Sequence, residues 1–228
     1  MRARISARRS TISVKTLFVA IMNHQAESDP KGKFRRASAR IRRHMPSNLP
    51  TLLVLTDPNR TPDPAALALR MPPGTGFIYR HFGAVNRTET AIRISEIARR
   101  QRLCFLIGND PELARLSKAD GVHWAEVDMT RSRHWKRSFR VMTTAAHCQR
   151  ALAHAASLPL DAALTSAVFQ SRSPSAETPI GRTRLRAWCK KARIPVYALG
   201  GINAQNVGQI KDFAGAASID GAAAAFGI

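Results

Sequence analysis

Acidic residues are scarce in this 228-residue chain. Fifteen aspartates and glutamates face 36 lysines and arginines, a formal charge of +21. That balance excludes an acidic, solvating polypeptide and favours anionic partners. Cysteine is sparse too. Cys104, Cys148 and Cys189 are odd in number and far apart, which argues against a disulfide scaffold or a Cys-x-x-Cys metal site. The pattern fits a reducing interior, so the cytoplasm is the expected compartment. No apolar run approaches the roughly 18 residues that cross a bilayer. The stretch 16–22 follows basic residues but has no small-residue cleavage site after it, so no secretory signal is expected. Aromatics make up 6% and do not interleave with basic residues as on a nucleic-acid surface. Trp124, Trp135 and Trp188 therefore read as packing residues, and Cys148 as a small buried hydrophobe.

What the chain does have is apolar residues, 44% of the total and enough for a sizeable core. The charge is unevenly spread. Residues 1–50 carry twelve basic and two acidic side chains, and the composition changes at Pro46 to Pro50. Residues 1–46 therefore read as a basic, poorly ordered or partly helical extension, with a basic helix near 33–44 that has few apolar anchors. Such a block usually stays solvated, although it can contact nucleic acid electrostatically.

From residue 47 the pattern becomes regular. Short apolar runs begin near 51, 76, 103, 121, 139, 162, 195 and 217, about every 24 residues. Helical stretches separate them: 64–70, 88–102, 111–117, 146–156, 183–192 and 204–213. Alternation of this kind predicts parallel strands with right-handed crossovers. Eight units predict a compact α/β (β/α)8 TIM barrel over 47–228, its eighth helix short or missing because the chain ends at Ile228. An open doubly wound sheet is the rival, weakened by the lack of a GxGxxG after the first strand.

Barrel chemistry gathers where the strands end. Arg80 ends the second strand and has the donors to grip phosphate. Asn109 and Asp110 follow the third, and Asp128 lies beyond the fourth. Two carboxylates suit Mg²⁺, while Asp110 before Pro111 equally suits a helix cap. His123, within an apolar strand, reads as a hydrogen-bonded core histidine. His147 follows the fifth strand and is a candidate acid or base, as histidine side chains often are, or has a structural place in a first helical turn. Ser171 and Ser173 lie in the long polar loop after the sixth strand. Gly200 and Gly201 offer a phosphate cradle or simply a tight turn.

Five stretches together, LLVLTD (52–57), LIGNDPELA (106–114), ADGVHWAEVDM (119–129), TAAH (144–147) and IPVYALGGINAQNV (194–207), resemble the thiamine phosphate synthase/TenI family. The resemblance covers residues 50–226. It implies a (β/α)8 barrel, a homodimer and Mg²⁺. It also implies coupling of hydroxymethylpyrimidine diphosphate to thiazole phosphate with release of pyrophosphate. By the same resemblance Arg80 and Asn109 would grip diphosphate, Asp110 and Asp128 would hold the metal, and Ser171, Ser173, Gly200 and Gly201 would hold thiazole phosphate. His147 matches the histidine of the tautomerase branch. Departures are present. Ile78 and Phe82 stand where the family has Gln and Lys, Ala145 and Ala223 where it has Ser, and Pro174 where it has Lys. Each lost charge-assisted contact is worth roughly 1.5 to 3 kcal/mol. Three alternatives stay open: a divergent synthase, a TenI-like thiazole tautomerase using His147, and a non-catalytic phosphate-ligand-binding relative.

Overall fold

The computed structural model describes residues 29–171 and 178–227. Its eight strands are β1 (Leu52–Leu55), β2 (Gly76–Tyr79), β3 (Cys104–Gly108), β4 (Gly121–Trp124), β5 (Val141–Ala145), β6 (Ala162–Thr165), β7 (Val196–Ala198) and β8 (Gly215–Ser218). They form a closed barrel in sequence order. Every pairing is parallel, and Leu53 opposite Ala217 closes β1 onto β8. The strands are buried along almost their whole length, as continuous apolar runs covered on both faces must be.

Helices α1 (Pro30–Ile41), α2 (Pro64–Arg70), α3 (Arg87–Gln101), α4 (Pro111–Leu116), α5 (Gln149–Ala155), α6 (Gly181–Lys191) and α7 (Asp220–Phe226) surround the barrel. Three of them begin with an Asp-Pro pair. Asp29, Asp63 and Asp110 each accept a backbone N–H from the first turn, and the following proline sits where no donor is needed. The helix expected over 204–213 is only a 3-10 turn, Val207–Gln209. Asn203 Oδ1 accepts the Gln205 and Asn206 amides and Asn206 Oδ1 that of Asn203, an N-cap-like turn after which no longer helix follows. A 3-10 segment, Glu126–Trp135, follows β4 and had no counterpart in the sequence reading.

The eighth helix, α7, is short, as expected, and α1 packs beside it. The Phe34 ring centre lies 6.1 Å from that of Phe226, the two rings tilted by 40°. Phe34, Ala37 and Ile41 are buried at helical spacing. Arg40 pairs with Asp212 at 2.7 Å. The described part of the basic extension is thus docked on the barrel; residues 1–28 lie outside the described residues. Cys148 is not buried. It is exposed and caps α5, its sulfur accepting the amide of Ala151. Burial pushes the Cys104 and Cys189 thiols up to about 12, so both are inert at neutral pH. Among the described residues, no helix is long and apolar enough to cross a membrane.

Candidate functional site

A cavity of about 1110 Å³ opens where the strands end. Arg80, Asn109, His123, His147, Ser171, Gly200 and Gly201 all line it, although they are spread over 122 positions of sequence. The barrel brings them together because all eight strands point the same way.

Arg80 is fixed from its backbone, whose N–H donates to Thr56 Oγ1 at 3.0 Å. Its guanidinium forms no ion pair among the described residues. Burial lowers its affinity for the proton, and nearby Asp57 partly restores it. A largely desolvated cation without a carboxylate partner is suited to an incoming anion.

On the β1–β8 side, Arg60 bridges Asp57 and Asp220, at 3.2 Å each. Burial opposes ionisation of Asp57, but the bond and charge of Arg60 outweigh it and hold the carboxyl below its usual range. No sequence signal marked Arg60 or Asp220, since their partnership depends on barrel closure.

His123 is the core histidine expected, with Nδ1 2.9 Å from Thr143 Oγ1, and it also faces the cavity. Burial, reinforced by the charges of Arg80 and His147, lowers its pKa to about 3. The imidazole is therefore neutral at physiological pH. His147 is exposed, and its backbone N–H donates to Glu126 Oε2 at 2.7 Å. Its Nδ1 lies 3.1 Å from the Ser166 carbonyl and 3.2 Å from Ser166 Oγ. A proton on Nδ1, donated to that carbonyl, leaves Nε2 as a lone-pair nitrogen.

Asn109 is more constrained than the sequence suggested. Its Nδ2 donates to Asp128 Oδ2 at 2.7 Å, and its Oδ1 accepts the amide of Ala125 at 3.1 Å. It braces the loop after β3 against the loop after β4.

The two expected metal ligands do not line this cavity. Asp110 caps α4 through Oδ1, which accepts the Leu113 amide at 3.0 Å, and Oδ2 accepts from Arg87 Nη1 at 2.5 Å. It faces a smaller depression of about 480 Å³ with Arg87, Glu112 and Arg115. Asp128 accepts from Asn109, and its other oxygen lies 3.7 Å from Arg131. Among the described residues, no group of three His, Cys, Asp or Glu side chains is placed to hold a metal. Asp110 thus serves a helix cap and Arg87, while Asp128 accepts from Asn109 and keeps its other oxygen clear of close donors among the described residues.

Gly200 and Gly201 have φ of +88° and +69°. A Cβ on Gly201 would lie 2.3 Å from the Gln170 carbonyl oxygen, so the loop after β6 crosses directly over this turn. Asn206 Nδ2 holds the Gly201 carbonyl at 2.7 Å. Ser173 lies outside the described residues. His81 is buried against the Tyr79 ring and does not line the cavity. Ala223 does not line the cavity either; Asp220, Gly221 and Ala224 do.

Comparison with known proteins agrees with this architecture. The thiamine monophosphate synthase family model matches residues 64–228. A thiamine-phosphate synthase of Alcanivorax borkumensis is 30% identical over 185 residues, covering 77% of this chain and 85% of that one. One from Prochlorococcus marinus subsp. pastoris is 27% identical over 54% of this chain. This chain spans about a third (35%) of the Prochlorococcus protein's length. Among solved structures, a thiamine phosphate pyrophosphorylase from Pyrococcus furiosus superposes with a TM-score of 0.66, at 23% identity, over 79% of this chain and 89% of that one. FabK from Thermotoga maritima shares the fold at a TM-score of 0.58 and 15% identity, over 75% of this chain and 57% of that one. The family match over nearly three quarters of the sequence, with a relative similar along most of both chains, shows that this chain belongs to the thiamine monophosphate synthase/TenI family.

Proposed function

We propose that the chain joins a hydroxymethylpyrimidine diphosphate to a thiazole phosphate, releasing pyrophosphate, in thiamine biosynthesis. The observation that carries this reading is the Arg80 guanidinium, without an ion-pair partner among the described residues, in a cavity that the Gly200–Gly201 turn also lines. A cavity of about 1110 Å³ suits two small phosphorylated molecules held side by side.

In this reading the bond between the pyrimidine methylene and its oxygen breaks, and both electrons leave with the diphosphate. Arg80 compensates the charge that develops on the leaving group. The aminopyrimidine ring stabilises the methylene cation, and the thiazole nitrogen then donates its lone pair to form the new C–N bond. The protein positions the two halves and excludes water. Neutral His123 adds no competing positive charge beside the cation. Ser171 and the Gly200–Gly201 turn face the thiazole side; Asn109 braces the diphosphate side. Asp110 and Asp128 do not line the cavity, and the scheme routes no step through the Mg²⁺ of the resemblance.

The test is to incubate purified protein with both phosphorylated halves and detect thiamine phosphate. Product is expected with the wild type and a loss of about a hundredfold or more with Arg80→Ala. No product above the Arg80→Ala level would sink the synthase reading. A second reading, thiazole tautomerisation, is favoured by the fixed His147 ring with its open Nε2. It predicts that His147→Ala abolishes turnover while Asp128→Ala changes little. Calorimetric binding of thiazole phosphate without either reaction would identify a binding-only relative.

A further inference from the structure

The side of the barrel around residues 204–214 carries a charge pattern that thiamine phosphate synthesis leaves unused. This segment joins β7 to β8 and is anchored through Ala204, Val207, Ile210 and Ala214, all buried. Around the closed barrel it has α6, which precedes β7, on one flank and α1, which packs beside α7, on the other. Both helices grip it with cations. From α1, Arg40 pairs with Asp212 at 2.7 Å, and just beyond the helix His44 Nε2 lies 3.0 Å from the Lys211 carbonyl. From α6, Arg182 Nε donates to the Gln209 carbonyl at 3.0 Å, and the Arg186 guanidinium carbon lies 6.0 Å from the centre of the Phe213 ring.

Helical spacing extends each contact into a row. Lys33 lies two turns before Arg40 on the same flank of α1, and Arg43 follows about one turn later. On α6, Arg182, Arg186 and Lys190 succeed one another at intervals of four. Arg43, Arg182, Arg186 and Lys190 are exposed, and Lys33 and Lys211 are half-buried. None of these side chains forms an ion pair among the described residues. The acidic residues described in 29–49 and 178–227 are Asp29, Asp212 and Asp220. Asp29 caps α1, Asp212 is taken by Arg40, and Asp220 by Arg60 at the cavity rim. No carboxylate of these elements is left to balance the two rows. Like charges four apart on a helix repel, and a bound polyanion relieves that repulsion.

We propose that the two cation rows, with Lys211 between them, bind the phosphate backbone of a double-stranded nucleic acid without reading its sequence. Guanidinium forks match phosphate oxygens, and duplex DNA presents one such charge per about 1.7 Å of its axis. The exposed large apolar side chains all lie between residues 69 and 127, on other elements. Nothing on this side therefore inserts into a bilayer or forms the apolar centre of a protein interface. Trp188 is half-buried against the core and Arg186 lies over Phe213, so no open aromatic face is offered to unpaired bases. The segment between the rows is tied to the barrel and sends no element into a groove, which leaves the phosphates as the contact. None of the six cations lines the cavity, so the proposal stands apart from the synthase reading.

The experiment follows binding of the full chain to a labelled mixed-sequence DNA duplex by fluorescence anisotropy, with KCl raised from about 50 to about 200 mM. Each phosphate neutralised adds about −0.9 to the slope of log affinity against log salt. Arg182→Gln, Arg186→Gln and Lys190→Gln together should make the slope shallower by about 2 to 3, and Lys33→Gln with Arg43→Gln by about 1 to 2. A matched triple on α3, Arg93→Gln, Arg99→Gln and Arg100→Gln, removes the same charge elsewhere and should shift it by less than about 0.5. Equal shifts for the two triples would show that net charge alone attracts the duplex and would overturn the proposal. So would a slope that neither the α6 nor the α1 variant changes, or no binding at all at about 50 mM KCl. If the α6 triple does not fold, the α1 pair against Arg99→Gln with Arg100→Gln decides. Single-stranded DNA should bind at least about threefold more weakly, and duplex RNA within about threefold of duplex DNA. Single strands bound as tightly as the duplex, or a tenfold preference for RNA through its 2′-hydroxyls, would refute contact through duplex phosphates alone. Vesicles of anionic phospholipid that hold the wild type at a salt concentration where the duplex has released it would refute the choice of partner.

Discussion

Replacing Phe34 by alanine tests whether the basic segment before the barrel is part of its structure. The Phe34 ring is 1% exposed and packs on Phe226 of α7. Truncating a buried phenylalanine costs about 3 to 5 kcal/mol through lost transfer energy and the cavity left behind. For a chain of this size each kcal/mol corresponds to about 2 to 4 °C in Tm, so the midpoint should fall by about 6 to 20 °C. Arg35, its neighbour, is exposed. Arg35→Ala should change stability by no more than about 0.5 kcal/mol. Thermal unfolding followed by circular dichroism compares the two. If Phe34→Ala melts with Arg35→Ala, then α1 contributes no core and the packing argument is wrong.

Stability should also fall on acidification through His123. Its folded pKa is near 3, below the ordinary value of 6.5, so the unfolded chain binds the extra proton. The contribution is complete above about pH 6.5 and lost as pH drops toward 3, and urea melts of His123→Asn should show a flatter profile over that window. Asp57 acts in the same sense at lower pH: its depressed pKa stabilises the fold above the usual carboxylate range and ceases to do so as pH falls through the folded value. Asp57→Asn should remove that part of the acid dependence. Gly201→Ala forces a side chain into φ +69° and toward the Gln170 carbonyl, at a cost of about 2 to 4 kcal/mol. Calorimetry should show weaker binding of thiazole phosphate with this variant; unchanged affinity argues against a cradle there.

Much of the barrel was legible before any coordinates, for local reasons. The runs LLVL, GFIY and LCFLI are apolar without alternation, and only a strand covered on both faces tolerates that. Asp63-Pro64 and Asp110-Pro111 mark helix starts through caps that act within four residues. The exceptions are confined to single segments. The stretch after Gly201 has apolar spacing suited to a helix and Asn203 bonds its first amides as an N-cap would, yet only a 3-10 turn forms. Near Asp110, spacing admitted either a metal ligand or a helix cap, and in the folded chain its two oxygens serve a cap and an arginine.

The sequence by itself determined the periodicity, and with it the number of strand–helix units, their parallel direction and the rim where polar side chains collect. These follow from burial and hydrogen bonding within each unit. Tertiary structure alone decided which polar groups meet. Arg60 reaches Asp220 only because β8 closes on β1, and Arg87 reaches Asp110 only because the start of α3 lies against the end of β3. Charges attract over a few ångströms whatever their separation along the chain. The partner of a given arginine is therefore fixed by the folded geometry, and the local pattern around it carries no record of that choice.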